Sequence, residues 1–136
     1  MHAIDTNVLV RLATRDDPKQ VAAAEAFVAG GAWVSQVVLV ELVWVLTSVY
    51  GLAAGEVATA VEILLAHRNL TVQESEVVAA ALEQFRRKPG ISFSDCLVLE
   101  IARKAGHLPL GTFDRDLGKF DGARRLAARS AGPRRA

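Results

Sequence analysis

Four short apolar runs recur along the chain at wide intervals; each of the first three is followed by a stretch with helical pattern, and the fourth by short pieces and a tail. HAID (2–5) reads as a buried strand ending at Asp5, and AWVS, LTVQ and LPLGTFD read as three more. The helices carry their own punctuation. TNVLVRLAT is a short helical segment after the first strand. In DDPKQVAAAEAFVAGG, Asp17 suits an N-cap, Pro18 the first helical position, and Gly30-Gly31 a stop. Ser35 can cap a helix over residues 36–50. AAGEVATAVEILLAH and ESEVVAAALEQFRRK are two further helices, the second ended by Pro89-Gly90. SFSDCLVLEIARKAG is capped by Ser92 or Ser94 and closed at Gly106. Strands that alternate with helices must be joined by crossovers. The expectation is therefore an α/β three-layer sandwich, with a central parallel sheet of four to five strands and helices on both faces. No repeat or linker divides the chain, so residues 1–126 are expected to form one domain and 127–136 a basic, mobile tail.

Composition narrows the classes. The chain has 136 residues, 51% of them hydrophobic but only 6% aromatic, so its core is built mainly from Val, Leu and Ala. A net charge of +1 does not by itself mark a nucleic-acid binder. The single cysteine, Cys96, excludes an intramolecular disulfide and fits a reducing compartment, so a cytoplasmic location is expected. The opening MHAIDTNVLV is interrupted by Asp5 and Asn7 and does not read as a signal peptide. The most membrane-like stretch, residues 32–50, is broken by Gln36 and Glu41 and lacks basic flanks, so no membrane span is expected.

Within that stretch, VSQVVLVELVWVLTSVY holds one acid among apolar residues. On a helix Glu41 stacks on Val37 and Val45 with Trp44 beside it, and no Lys or Arg lies at helical spacing. A helix apolar all round is expected to be buried, and a buried carboxylate needs a partner from elsewhere in the fold or a cation. Parallel sheets bind ligands outside the carboxyl ends of their strands. Asp5 and Asp114 end the first and fourth strands, Glu41 lies early in the helix after the second, and Asp95 opens a later helix. Fold rules thus bring four acids to one sheet edge. Acids gathered there must take up protons or be neutralised by cations. Oxygen-only ligands favour Mg²⁺ or Mn²⁺, and such ions support hydrolysis of phosphodiesters. Taken singly, Asp5 and Asp95 also read as helix caps, and Asp16 and Asp17 as cap and first-turn acids. The three histidines share no metal spacing. Cys96 reads as a small core residue rather than a nucleophile.

The segments IDTNVLV, SQVVLVELVWVL, ISFSDCLVLEIA and TFDRDL resemble, in order and spacing, the PIN-domain ribonucleases, and most of all the VapC toxins of VapBC toxin–antitoxin modules. The likeness runs from Met1 to about Leu126. It implies a PIN-like fold and Mg²⁺- or Mn²⁺-dependent endoribonuclease action. It places the family's four metal-binding, catalytic acids on Asp5, Glu41, Asp95 and Asp114. It also implies that Thr6, Asn7 and Thr112 hydrogen-bond those carboxylates or metal-bound water, and that Asp116 assists or replaces Asp114. A homodimer and a small antitoxin protein are the implied partners, with the apolar helices around 21–28 and 52–65 as candidate linings of the antitoxin groove or dimer contact.

RNA would have to reach an acidic centre. With the four site acids set aside the remaining chain is net positive, and Arg11, Arg15, Arg86, Arg87, Lys88, Arg115, Lys119 and the tail arginines are the candidates for a basic rim. The run at 86–88 reads equally as a solvated helix end. No aromatic platform for bases is evident from the sequence. The main alternative is a catalytically weak PIN-like module that binds metal and RNA. A phosphotransfer receiver would want paired acids after the first strand and a lysine near the last. A haloacid-dehalogenase-type phosphatase would want a second Asp where Asn7 stands.

Overall fold

The computed structural model describes residues 1–129; the greater part of the expected tail lies outside the described residues. β1 (His2–Ala3), β2 (Ala32–Val34) and β3 (Leu70–Val72) form one parallel sheet in the order β1-β2-β3. Ala32 pairs with His2 on one side and Leu70 on the other. β4 (Leu110–Thr112) and β5 (Ala123–Arg125) form a separate parallel ladder in which Leu110 faces Ala123. The strand number and direction agree with expectation, but the five strands divide into two ladders. Each strand has only two or three residues, too few to sustain one continuous hydrogen-bonded sheet.

Between the strands lie α1 (Thr6–Thr14), α2 (Pro18–Val28), α3 (Gln36–Ser48), α4 (Ala54–Ala66), α5 (Ser75–Arg87) and α6 (Phe93–Ala105). Their starts follow local chemistry. The side chains of Asp5, Asp17, Ser35 and Ser92 accept from the backbone N–H of Val8, Gln20, Val38 and Asp95, covering donors that the first helical turn leaves unsatisfied. Ser92, not Ser94, is thus the cap of α6, and Gly106 closes it in the left-handed conformation. Between β4 and β5 the chain turns through a 3₁₀ segment, Leu117–Lys119. There Gly118 lies so close to the β5 backbone that a Cβ would sit 2.7 Å from Cβ of Arg125, which only glycine avoids.

The core is aliphatic. Leu9, Leu42, Val61, Val78, Ala81, Cys96 and Leu99 are fully enclosed, and Phe85 meets Phe93 edge to face. α3 departs from expectation. Leu39, Leu42 and Leu46, spaced at helical period, bury one face. Val37, Glu41, Trp44 and Ser48 lie on the opposite face and are exposed. The helix is apolar all round but not buried all round, because neighbouring elements cover only its leucine side. Among the described residues, no helix is long and apolar enough to cross a membrane.

Glu100 is the only buried charged residue among those described. Arg103, one turn on, donates from Nε to both of its oxygens at 3.2 Å and from Nη2 to the carbonyl of Asp121 at 2.6 Å, so the pair ties α6 to the loop before β5.

Candidate active site

β1 and β2 run parallel and side by side, so their carboxyl ends open on the same edge. Asp5 follows β1 there, and Glu41 lies in the second turn of the helix that follows β2. The two acids, with Thr6, Asn7, Trp44 and Val45, line one open cleft of about 470 Å³. The Thr6 hydroxyl donates to Oε2 of Glu41 at 2.6 Å, across 35 positions of sequence. This is the partner that helical spacing alone did not supply. Glu41 is exposed rather than buried, so its charge is hydrated and needs no cation to be tolerated there.

Asp5 has a double role. Oδ1 caps α1 through Val8 N at 3.2 Å. Oδ2 of Asp5 and Oε1 of Glu41 take no part in these two bonds. Two carboxylates, a hydroxyl and an amide make an all-oxygen donor set. Mg²⁺ commonly uses one or two carboxylates and completes its shell with water and substrate phosphate, so the pair fits such an ion.

The other two expected acids are not on the lining of this cleft. Asp95 is half-buried in the first turn of α6, its backbone N–H bonded to Ser92 Oγ at 3.2 Å. Asp114 is exposed beyond β4, and its Oδ1 accepts from the N–H groups of Asp116 and Leu117 at 2.9 and 2.8 Å. Thr112 Oγ1 in turn accepts from Asp114 N at 3.0 Å, so it orders the backbone of the turn rather than a carboxylate. Asp116 faces Lys119 at 3.7 Å. Among the described residues no three His, Cys, Asp or Glu side chains are grouped so as to hold a metal ion. Asp5 and Glu41 line one cleft, and Asp95 and Asp114 are not among the residues that line it.

Further expectations change at the rim. Asp17 is a cap, but Asp16 is not. Its carboxylate gathers the Tyr50 hydroxyl at 2.7 Å, the Thr14 hydroxyl at 2.9 Å and the Arg11 guanidinium. The Tyr50 hydrogen bond first, then those of Thr14 and Arg11, pull its pKa down to about 2. This cluster fastens the end of α1 to the segment just after α3. Several members of the expected basic rim are likewise occupied: Arg15 with Glu25, Arg86 with Glu62, Arg87 with Glu83 and Lys119 with Asp116. Lys88 lies over the Phe120 ring, 5.1 Å from its centroid. Cys96 is enclosed, and burial pushes its thiol up to about 11, which removes it from nucleophilic chemistry.

Trp44 is the residue that sequence reasoning missed. It is 63% exposed and lies on the wall of the acidic cleft. The signal was present in its spacing of three from Glu41, but the uniform hydrophobicity of α3 concealed which residues face water.

A family model described as the PIN domain matches residues 3–123 of the chain. No curated protein matches it in sequence. Among solved structures, it is similar to the crystal structure of Mycobacterium tuberculosis VapC20, a sarcin–ricin loop cleaving toxin, at 20% identity and a TM-score of 0.41, over 87% of this chain and 93% of that one.

Proposed function

Since the chain belongs to the PIN-domain family, we propose that it is a divalent-metal-dependent endoribonuclease and the toxin of a type II toxin–antitoxin pair. The observation that carries this reading is the cleft at the carboxyl ends of β1 and β2, where Asp5 and Glu41 meet inside the matched family domain. Asp5, Glu41, Asp95 and Asp114 are the proposed holders of Mg²⁺ or Mn²⁺; Asp5 and Glu41 share the cleft, and Asp95 and Asp114 lie off its lining. When bound, such an ion supplies Lewis-acid activation of water and neutralises charge at the attacked phosphate. The chain's own contribution is orientation. Thr6 fixes one oxygen of Glu41 and leaves the other to the cleft. Asn7 offers an amide donor on the same wall. The N-cap bond fixes the rotamer of Asp5. No side-chain nucleophile is required, and water attacks in line to leave a 5′-phosphate and a 3′-hydroxyl.

In this reading the domain spans residues 1–126 with a short basic tail, and the protein acts in the cytoplasm as a homodimer. A groove of about 970 Å³ between the end of α1, α2 and α4, walled by Leu12, Val28, Leu52, Ile63 and Leu64, is the proposed seat for an apolar segment of the antitoxin.

The test is cleavage of mixed RNA by purified protein in Mg²⁺, Mn²⁺ or EDTA, beside Asp5→Asn. Asparagine caps a helix about as well as aspartate, whereas alanine would also remove the Val8 hydrogen bond. Metal-dependent cleavage lost in Asp5→Asn is the expected result. Cleavage that survives EDTA or the substitution would sink the proposal. Saturable binding of metal and RNA without cleavage would favour the binding module.

A further inference from the structure

Trp44 stands at the junction of two clefts. It walls the one that holds Asp5 and Glu41, and it also walls a neighbouring cleft of about 370 Å³ between α3, the end of α5 and the start of α6. Val40, Val43, Phe85 and Phe93 make the sides of this second cleft, and Thr47, Ser48, Ser92 and Ser94 supply hydroxyls. No charged side chain among the described residues lines it. Ser92 Oγ and Ser94 Oγ are 3.2 Å apart, in the turn that leads directly into Asp95. The indole therefore sits between the Asp5–Glu41 pair and the segment that carries Asp95.

An indole 63% exposed beside a polar cleft invites a flat partner with apolar faces and polar edges. A nucleobase has that form: its faces suit Trp44 and the aliphatic walls, and its edges suit the serine hydroxyls. The absence of charge in the second cleft fits a base and not a phosphate. The phosphates have other partners nearby. Arg86 and Arg87 lie three and two residues before Pro89, which with Gly90 lines this cleft, and their pairs with Glu62 and Glu83 are exposed enough to exchange for backbone phosphates.

We infer that Trp44 is a stacking platform for an unpaired RNA base next to the cleaved phosphate, with the apolar cleft between α3 and α6 as that base's seat. The inference rests on the nuclease reading and adds a substrate-positioning residue to it. Only a base free of its helix can lie on the ring, so Trp44 selects for unpaired nucleotides at the cleavage point.

The chain has two tryptophans, so Trp33→Phe leaves Trp44 as the sole indole reporter. Titration of that protein with a 12-nucleotide oligoadenylate should quench its emission, and a blunt duplex of equal length should do so far less. Against the same oligonucleotide, Trp44→Leu should raise KM and Kd about 5- to 150-fold, the cost of losing one base–aromatic stack. Trp44→Phe should recover most of the loss. Because the residue is exposed, neither change threatens folding. Unchanged affinity and cleavage in Trp44→Leu would overturn the inference and leave the nuclease reading intact. So would a Trp44→Leu protein that loses only self-association or antitoxin binding, since the face would then be a protein contact. A wild-type protein that neither binds nor cleaves single-stranded RNA would overturn both.

Discussion

Glu41→Gln separates the charge of this residue from its shape. Gln keeps the length of the side chain and a carbonyl oxygen where Oε2 accepts from Thr6 at 2.6 Å. The bond survives but changes from charge-assisted to neutral. Charge-assisted hydrogen bonds are about twice as strong as neutral ones, and an ordinary bond contributes about 1 kcal/mol net. Both groups are exposed, so water competes and the expected loss is about 0.5 kcal/mol. Relief of repulsion from Asp5 across the same cleft acts in the opposite direction. Net stability should therefore move by less than about 0.5 kcal/mol, a shift of about 2 °C in Tm for a chain of this size. The chemistry should respond far more. Changing a side chain that merely supports a metal ligand costs about 10- to 100-fold in metal affinity or activity, so loss of a ligand charge should exceed roughly 100-fold in kcat/KM. Thermal denaturation and metal-dependent RNA cleavage, measured on one preparation, decide the matter. Full cleavage by Glu41→Gln would refute the assignment of Glu41 as a metal holder. A fall in Tm of more than about 8 °C would show that its charge serves the fold.

Asp16 should report on acid stability. Its folded pKa lies at about 2 against an ordinary 3.8, chiefly through the Tyr50 hydroxyl. A depressed carboxyl stabilises the fold fully above its unfolded pKa and ceases to do so as pH falls toward its folded one. The Tm gap between wild type and Asp16→Asn should thus be constant at neutral pH and close between about pH 4 and pH 2; a gap that persists at the acid end would contradict the mechanism. Tyr50→Phe should raise the Asp16 pKa, read directly by carboxyl NMR titration. Asp114→Ala should cost about 1 kcal/mol in urea unfolding, since two backbone N–H groups lose their acceptor. Asp116→Ala should be close to neutral because its Lys119 pair is exposed; equal losses in the two variants would show that the turn does not depend on Asp114.

Local signals carried most of the architecture. A cap is decided within three or four residues, which is why Asp17, Ser35 and Gly106 could be placed from their neighbours alone. Asp16 was misjudged for the same reason. Its partners include Tyr50, 34 positions away, and nothing in the sequence DDPK distinguishes it from a first-turn acid. The basic residues show a related limit. Arg15, Arg86 and Arg87 look available in the sequence, but tertiary folding and helical spacing set Glu25, Glu62 and Glu83 beside them. Asp5 was legible as both a cap and a ligand candidate, and the fold keeps both options by assigning one oxygen to Val8.

The order of short strands and capped helices, set by hydrophobic period and turn chemistry, determined a parallel α/β fold with Asp5 and Glu41 near the carboxyl ends of neighbouring strands. The sequence of α3 could not determine which side meets water, because nearly every position is apolar and period alone has nothing to contrast. Tertiary packing decided it. The leucines at 39, 42 and 46 took the core, and that rotation of the helix put Glu41 and Trp44 together on the open face. It also set Thr6 against Glu41, a contact between residues 35 positions apart that exists only once α1 and α3 lie side by side.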